Sequence, residues 1–260
     1  SANALFEMLN SNIAFTLCQM LTSGAVEALE AHASEAQKEK YLRQIISGNW
    51  SATMNLTEPQ AGSDVGAVKT KAEPQPDGTY KIYGTKIYIT YGDHDMAENI
   101  IHLVLARTPG APEGTKGISL FIVPKFFVND DGSLGDRNDV KCIGLEDKLG
   151  IHASPTCVMS FGENDGAVGW LIGSENTGMA AMFTMMNNAR LNVGIQGVGL
   201  AEQATQIAMS YAADRVQGRA PDADRGDNTP VPIANHPDVR NMLMTMRALT
   251  DAARAICYEN

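Results

Sequence analysis

The spacing of apolar residues changes twice along the chain, and each change marks a different kind of element. Within residues 1–48, positions such as Leu9 and Ile13 recur three to four residues apart, which is the period of one helix face. A further helix is predicted to begin at the capping box Ser34–Gln37, in which the first and last residues satisfy each other's backbone N–H groups. Gly48, a typical helix-ending residue, closes this region.

Residues 49–172 have the pattern of short strands. The apolar runs Ile100–Ala106 and Ile118–Val123 are bounded by turn residues, as buried strands are. Asp77–Gly78 is a hairpin turn signal, and Asp131–Gly132 marks another loop. The frequent turns predict an antiparallel sandwich or barrel rather than a series of βαβ units.

After residue 172 the helical period returns. A long helix is predicted from Thr177 to Arg215, and a last helix carries an apolar stripe from Val239 to Ile256. A loop rich in proline, 218–237, separates the two. The predicted fold class is therefore α+β. Its three domains are the end of an N-terminal helical domain (1–48), a central β-domain (49–172), and the start of an incomplete C-terminal helical bundle (173–260).

Composition and charge narrow the classes of function. The 260 residues are 44% hydrophobic, which is enough for a sizeable core in one large or two smaller domains. A formal net charge of −10 opposes binding to nucleic acid or anionic lipid, so we expect no nucleic-acid partner. No apolar run is long enough to predict a membrane span, and the start does not resemble a signal peptide. We expect a cytoplasmic protein, and the abrupt ends suggest an internal fragment.

Cysteine and histidine give no metal site. The four cysteines are widely spaced without a C-x-x-C pair, so we expect buried free thiols in a reducing compartment. His94 lies between Asp93 and Asp95, but neighbouring residues on a strand point in opposite directions and cannot share one ion. We therefore interpret this segment as a solvated loop.

The segment Leu56–Asp64 is the most informative in the chain. Its letters, Leu-Thr-Glu-Pro-Gln-Ala-Gly-Ser-Asp, describe a strand that ends in a turn. Such an edge is either an ordinary strand–turn or a surface that presents backbone groups and hydroxyls to a planar polar ligand. The string closely resembles the signature of the acyl-CoA dehydrogenase family. The resemblance implies that Met54, Leu56 and Thr57 contact the flavin of FAD, and that Ser63 lies near the FAD pyrophosphate or the thioester substrate.

Two further segments resemble the same family. Gly84–Thr90 is similar to its G-x-K-x-[WY]-I-T strand, which implies that Tyr88 packs against the flavin and that the Thr90 hydroxyl approaches flavin N5. Without the resemblance, this segment is a β-strand with an exposed Lys86 and cross-strand hydroxyls. Lys148–Thr156 resembles a segment at the edge of the family's β-domain, and we assign it to architecture.

The long predicted helix contains three glycines that each cost about 1 kcal/mol relative to alanine. They indicate close approach by another helix or by a flat ligand, and they are Gly194, Gly197 and Gly199. In the family this stretch follows an arginine near the CoA portion of the substrate, which implies substrate binding by Arg190. The end of the helix implies that Arg215, with Gln217, binds the FAD pyrophosphate of a neighbouring subunit. The residues alone leave Arg215 equally able to complement the helix dipole.

The resemblance covers residues 41–258 and implies FAD-dependent α,β-dehydrogenation of an acyl-CoA thioester. Electrons would pass to an electron-transfer flavoprotein, and the enzyme would be a homodimer or homotetramer. The details are most similar to the branch that oxidises 3-methylmercaptopropionyl-CoA. An acyl-CoA oxidase on the same scaffold, and a non-catalytic or DNA-associated relative, remain alternatives.

No catalytic base is assigned within the chain. The family usually carries a glutamate in the C-terminal helical domain, and a minority place it directly before the residue that matches Arg190. That position is Ala189 here, which cannot remove a proton. Glu58, expected to shape its turn, and Glu202 match neither position. The base Glu is therefore expected C-terminal to Asn260.

Overall fold

The computed structural model describes residues 2–220 and 222–259, so that Ser1, Pro221 and Asn260 lie outside the described residues. The N-terminal region forms α1 (Ala2–Leu9), α2 (Ile13–His32) and α3 (Glu35–Ile46), with a 3₁₀ turn between the first two. The predicted capping box is confirmed, because Gln37 N donates to Ser34 Oγ at 3.3 Å and Ser34 N donates to Gln37 Oε1 at 3.0 Å. Gly48 follows α3 with a φ of +81°, a conformation that glycine adopts without strain.

The central region is built from strands, as predicted. Their bounds are β1 (Trp50–Asn55), β2 (Lys71–Pro74), β3 (Tyr80–Thr90), β4 (Asn99–Ala106), β5 (Ser119–Pro124), β6 (Phe126–Val128), β7 (Leu134–Arg137), β8 (Val140–Leu145), β9 (Thr156–Phe161) and β10 (Ala167–Ile172). In the described residues, eight of them form one sheet in the order β1-β4-β5-β10-β3-β9-β8, with β2 on β3. Its pairs are antiparallel except β1 with β4, which is parallel. The predicted run of central strands is thus confirmed, with one parallel pair that the turn pattern did not indicate.

The strand core lies where the apolar runs predicted it. Every residue of β4 and of β5 is buried. The hairpin turn at Asp77–Gly78 joins β2 to β3, and Asp131–Gly132 lies between the paired strands β6 and β7. Both turn predictions are confirmed.

Two helices complete the described chain. α4 (Gly178–Asp214) and α5 (Pro237–Glu259) match the predicted helices closely. The intervening loop also contains two short paired strands that were not predicted, β11 (Val216–Arg219) and β12 (Pro230–Pro232). Proline at both ends of β12 hides a strand from pattern analysis, since proline is confined to strand ends and edges. No helix in the part of the chain that the structure describes has the length and apolar character to cross a membrane.

The chain divides into two compact units. One contains the residues up to Ile13 and from Arg190 onwards, and the other is Ala14–Ala189. The changes from helix to strand and back fall near the domain limits proposed from the sequence, but the three-domain division stays a prediction.

Close helix packing explains one of the three helix glycines, Gly199. A Cβ on Gly199 would lie 3.1 Å from the Glu7 carbonyl oxygen and 3.1 Å from Asn10 Cβ. A Cβ on Gly194 would lie 3.4 Å from Cys257 Sγ, whereas no heavy atom lies within 4 Å of that position on Gly197. The helix-packing alternative is therefore confirmed for Gly199, where a side chain would meet backbone.

Candidate functional site

The end of β1 and the middle of β3 lie side by side. Ile87 N donates to the Thr57 carbonyl oxygen at 2.9 Å, and Lys86 Nζ donates to the Leu56 carbonyl oxygen at 3.0 Å. These two contacts place the Leu56–Thr57 backbone against the part of β3 that leads to Tyr88. The two segments predicted separately to contact a flavin are thus neighbours in the fold.

A β-bulge gives Tyr88 an unusual position. The pairing of β3 with β9 shifts register between Lys86 and Ile89. Within the shift Tyr88 has a φ of +60°, and its side chain is 60% exposed. A positive φ on a bulky residue is strained, and such strain is concentrated at functional sites. Thr90, at the end of β3, is half-buried and pairs with Thr156 of β9.

The remaining β-domain residues of the predicted site border the same strand end. The side chains of Met54, Leu56 and Thr57 are half-buried, so each keeps some surface for a ligand. The turn that follows is closed by two reciprocal backbone hydrogen bonds of 3.0 Å between Glu58 and Ala61. Ser63 lies just beyond this turn and is exposed.

The prediction that Lys86 is exposed is wrong, because its side chain is 0% exposed and forms a buried ion pair. Lys86 Nζ lies 2.8 Å from Glu58 Oε1, and the Glu58 side chain is only 4% exposed. The same oxygen accepts hydrogen bonds from Thr70 N at 3.1 Å and Thr70 Oγ1 at 2.5 Å. Glu58 Oε2 accepts from Lys69 N at 2.8 Å and Gln60 Nε2 at 2.6 Å. Glu58 therefore does more than shape its turn.

The electrostatics of this pair exclude Glu58 as a general base. Burial opposes its ionisation, but the Lys86 ammonium and the hydrogen bonds from Thr70 and Lys69 outweigh burial and lower the pKa of Glu58 to about 2. For Lys86, burial outweighs the attraction of Glu58 and lowers the pKa to about 8. A carboxylate this acidic and fully hydrogen-bonded has little tendency to take a proton at neutral pH.

A signal for the bulge was present in the sequence. The buried apolar positions of β3 change from even to odd numbers, from Ile82 to Ile89. Regular alternation cannot bury both, and a one-residue insertion can. Lys86 lies before the insertion and shares the inward face of Ile82, whereas its charge and alternation counted back from Ile89 both favoured exposure.

The other predicted site residues belong to the compact unit that includes Arg190 and the residues after it. Arg215 directly follows α4, and its Nη2 donates to Gln217 Oε1 at 3.1 Å. Both side chains are exposed, as is that of Arg190 on α4. Their placement relative to the β-domain residues stays a prediction. Glu202 is held by Arg254 Nη2 at 2.6 Å, and hydrogen bonds from Gln206 and Arg254 lower its pKa.

The loop around His94 is more enclosed than expected. His94 is half-buried, and its Nε2 lies 2.9 Å from Ser51 Oγ. Asp93 forms ion pairs with Lys125 at 2.6 Å and with Arg137 at 3.2 Å. Only Asp95 fits the solvated loop that we predicted. Among the residues that the structure describes, no group of three or more potential ligands could hold a metal ion.

The four cysteines are free thiols, as predicted. Cys18 and Cys157 are buried, whereas Cys142 and Cys257 are only partly so. Burial raises the pKa of Cys18 and of Cys157 to about 11, which makes both thiols poor nucleophiles.

Comparison with known proteins identifies the family. The model of the acyl-CoA dehydrogenase middle domain matches residues 53–163, and that of the acyl-CoA dehydrogenase C-terminal domain matches residues 176–260. The chain belongs to the acyl-CoA dehydrogenase family. Members of this family are FAD-dependent oxidoreductases that act on CH–CH groups.

Individual relatives agree with the family models. The 3-methylmercaptopropionyl-CoA dehydrogenase of Ruegeria pomeroyi is 55% identical over 97% of this chain and 42% of its own length. The butyryl-CoA dehydrogenase structure from Megasphaera elsdenii matches with a TM-score of 0.77 and 27% identity, over 98% of this chain and 60% of that one. A structure reported for the electron transferring flavoprotein of Acidaminococcus fermentans matches with a TM-score of 0.80 and 27% identity, over 98% and 60%. The chain spans about two fifths of the length of the curated relatives it matches.

The β1–β3 edge fits a flavin. Tyr88 is 60% exposed at the bulge, and the half-buried threonines Thr57, just after β1, and Thr90, at the end of β3, supply hydroxyl groups to the same part of the sheet. A flat, largely apolar ring system with polar edges needs these two kinds of contact. The site therefore combines an exposed aromatic with polar groups on a rigid sheet.

Proposed function

We propose that the protein oxidises an acyl-CoA thioester at its α–β bond with FAD. The observation that supports this most directly is the contact of the Leu56–Thr57 backbone with β3 next to the Tyr88 bulge. Two family motifs that are separated in the sequence thereby form one edge. When bound there, FAD supplies the acceptor for the β-hydride.

The residues of this edge would orient the cofactor. The backbone of Met54, Leu56 and Thr57 would contact the pyrimidine side of the flavin. Tyr88 would cover part of a ring face, and the Thr90 hydroxyl would lie near N5. Rigid placement on strands favours catalysis because the reacting atoms are held close together before the reaction.

Polar residues farther along the chain would hold the charged parts. Ser63 would lie near the FAD pyrophosphate or the thioester, and Arg190 near the CoA portion. Arg215, which is hydrogen-bonded to Gln217, would bind the pyrophosphate of the FAD in a neighbouring subunit through its guanidinium charge. That role requires a homodimer or homotetramer.

The catalytic base belongs outside the residues described. Ala189 has no proton acceptor, and Glu58 and Glu202 are engaged in ion pairs. We propose a glutamate C-terminal to Asn260, held near the α-carbon of the substrate.

The proposed substrate, electron acceptor and cellular location rest on similarity to known proteins. The identity with the Ruegeria pomeroyi enzyme favours 3-methylmercaptopropionyl-CoA, and the match to a butyryl-CoA dehydrogenase keeps short straight chains as the second choice. An electron-transfer flavoprotein in the cytoplasm is the proposed electron acceptor, and the Acidaminococcus fermentans match supports it.

Steady-state turnover of the full-length protein tests this proposal. We expect both thioesters to reduce electron-transfer flavoprotein, the methylthio substrate faster, with no matching oxygen consumption. Thr90→Val should lower kcat, whereas Thr79→Val, which removes an exposed turn hydroxyl bonded to Asp77, should not. Turnover with oxygen as the only effective electron acceptor would show that the protein is an oxidase and not a dehydrogenase. Absence of turnover with any acyl-CoA would refute the proposal.

A further inference from the structure

We propose that Lys86 and Glu58 are positioning residues, a buried ion-pair clamp that fixes the two flavin-contacting strands relative to each other. This inference rests on the proposed function, because it takes FAD to occupy the edge formed by Leu56, Thr57 and Tyr88. Neither side chain would contact the cofactor, since Lys86 is 0% and Glu58 4% exposed. Both would act through the backbone that they hold.

Three consecutive residues just after β1 are attached to β3, two of them by this ion-pair clamp and one by a backbone hydrogen bond. Lys86 Nζ donates to the Leu56 carbonyl at 3.0 Å and to the Glu58 carboxylate at 2.8 Å. Between them, the Thr57 carbonyl accepts from Ile87 N at 2.9 Å. The distance between the Thr57 backbone and the bulge that carries Tyr88 is therefore set by a single ammonium group and one backbone hydrogen bond.

The other side of Glu58 fixes the loop that carries Ser63. Its carboxylate accepts hydrogen bonds from Gln60, Lys69 and Thr70, which lie on both sides of Ser63 in the sequence. One buried carboxylate thus fixes the strand end and the loop after it. Both are parts of the site to which we assign cofactor or substrate contacts.

The close approach of β3 to this carboxylate depends on a glycine. A Cβ on Gly84 would lie 2.4 Å from Thr70 Oγ1, the hydroxyl that donates to Glu58. Gly84 is the inward-facing position before Lys86 on β3. Because glycine has no side chain, this position leaves room for Thr70, which is hydrogen-bonded to Glu58. The sequence G-x-K in this strand is explained by the clamp.

An ion pair suits positioning better than it suits stability. A buried pair loses most of its attraction to the cost of removing both charges from water, and apolar packing would stabilise the core at least as well. Its directional hydrogen bonds, however, fix atoms to within a few tenths of an ångström. We therefore expect loss of the clamp to affect the flavin more than the fold.

The test uses the full-length protein with the double variant Glu58→Gln/Lys86→Met, which removes both charges together. Lys81→Met is the matched control, because Lys81 is also on β3 and pairs at 2.8 Å with Asp165, whose side chain is 92% exposed. We expect the double variant to bind FAD at least tenfold more weakly and to show an altered circular dichroism of the bound flavin. At saturating FAD, kcat should fall at least tenfold with KM changed less. The control should match the wild type in all four.

The outcomes separate this inference from the proposed function. If the wild type binds FAD and oxidises acyl-CoA, and the double variant does so with unchanged affinity, flavin spectrum and kcat, the clamp is refuted while the function stands. If the wild type binds no FAD, both fail. Should the double variant not fold, Glu58→Gln alone keeps an acceptor for Lys86 and serves in its place. For Glu58→Gln, changes in FAD affinity, flavin circular dichroism and kcat that are smaller than those expected of the double variant would support the clamp. Wild-type values in all of these measurements would refute it.

Discussion

Removing Lys86 alone should destabilise the protein more than removing Lys86 and Glu58 together. Lys86→Met leaves the Glu58 carboxylate buried, 4% exposed, without a counter-charge. Breaking a buried ion pair in this way costs about 3–5 kcal/mol. The double variant Glu58→Gln/Lys86→Met removes the unpaired charge and leaves mainly the Leu56 carbonyl without its lysine donor, a loss of about 1–3 kcal/mol.

The assay is denaturant unfolding of the FAD-free protein, because bound cofactor adds its own stabilisation. We expect the denaturant concentration at the unfolding midpoint to be highest for the wild type, lower for the double variant and lowest for Lys86→Met. The slope of the unfolding free energy against denaturant concentration should not change. Lys81→Met, which breaks an exposed pair on the same strand, should unfold with the wild type. Two results would contradict this prediction: a double variant no more stable than Lys86→Met, or a Lys86→Met variant as stable as Lys81→Met.

Three further predictions concern acid, a glycine and a surface ion network. Glu58 has a folded pKa of about 2 against an ordinary 4.5, so its stabilisation is complete above about pH 4.5 and is lost as the pH falls towards 2. The unfolding free energies of wild type and Glu58→Gln should converge over that range. Gly84→Ala should cost about 1–3 kcal/mol, because the new methyl group would overlap Thr70. Arg254→Met should cost about 1.5–3 kcal/mol and speed amide exchange in α1, since it removes the partner of Glu7 at 2.8 Å.

Each of these predictions has a control or a contradicting result. Gly150→Ala adds a methyl group with no heavy atom within 4 Å, so thermal unfolding should not change. Arg247→Met removes a half-exposed arginine from the same ion network and should leave exchange in α1 unchanged. A difference in unfolding free energy between wild type and Glu58→Gln that stays constant from pH 5 to pH 2 would contradict the lowered pKa of Glu58.

The order of elements could be predicted from the sequence because each depends on local signals. The Ser34 cap, the Asp77–Gly78 turn and the apolar runs of β4 and β5 are read within a few residues, and all occur as predicted. The resemblance assigned Thr57 and the Gly84–Thr90 segment to the flavin separately. Their backbone contact emerged only from the structure, and their roles stay predictions.

The clamp could not be predicted in the same way. Lys86 and Glu58 are 28 residues apart, and only the tertiary fold brings them together. Lys86 is buried because it shares the inward face of Ile82, ahead of the bulge, and because a carboxylate is present to pair with it. A charged residue without a known partner is normally exposed, which is why pattern analysis placed it outside.

Anaerobic titration of the full-length, FAD-loaded protein with 3-methylmercaptopropionyl-CoA, followed by visible absorbance, tests directly whether the protein oxidises an acyl-CoA thioester through its flavin. We expect the flavin absorbance to bleach on addition of the thioester, butanoyl-CoA to bleach it more slowly, and Thr90→Val to slow both reactions. A flavin that remains oxidised with both thioesters would contradict the proposed substrates. A wild-type protein that takes up no FAD would contradict the roles assigned to Thr57, Tyr88 and Arg215.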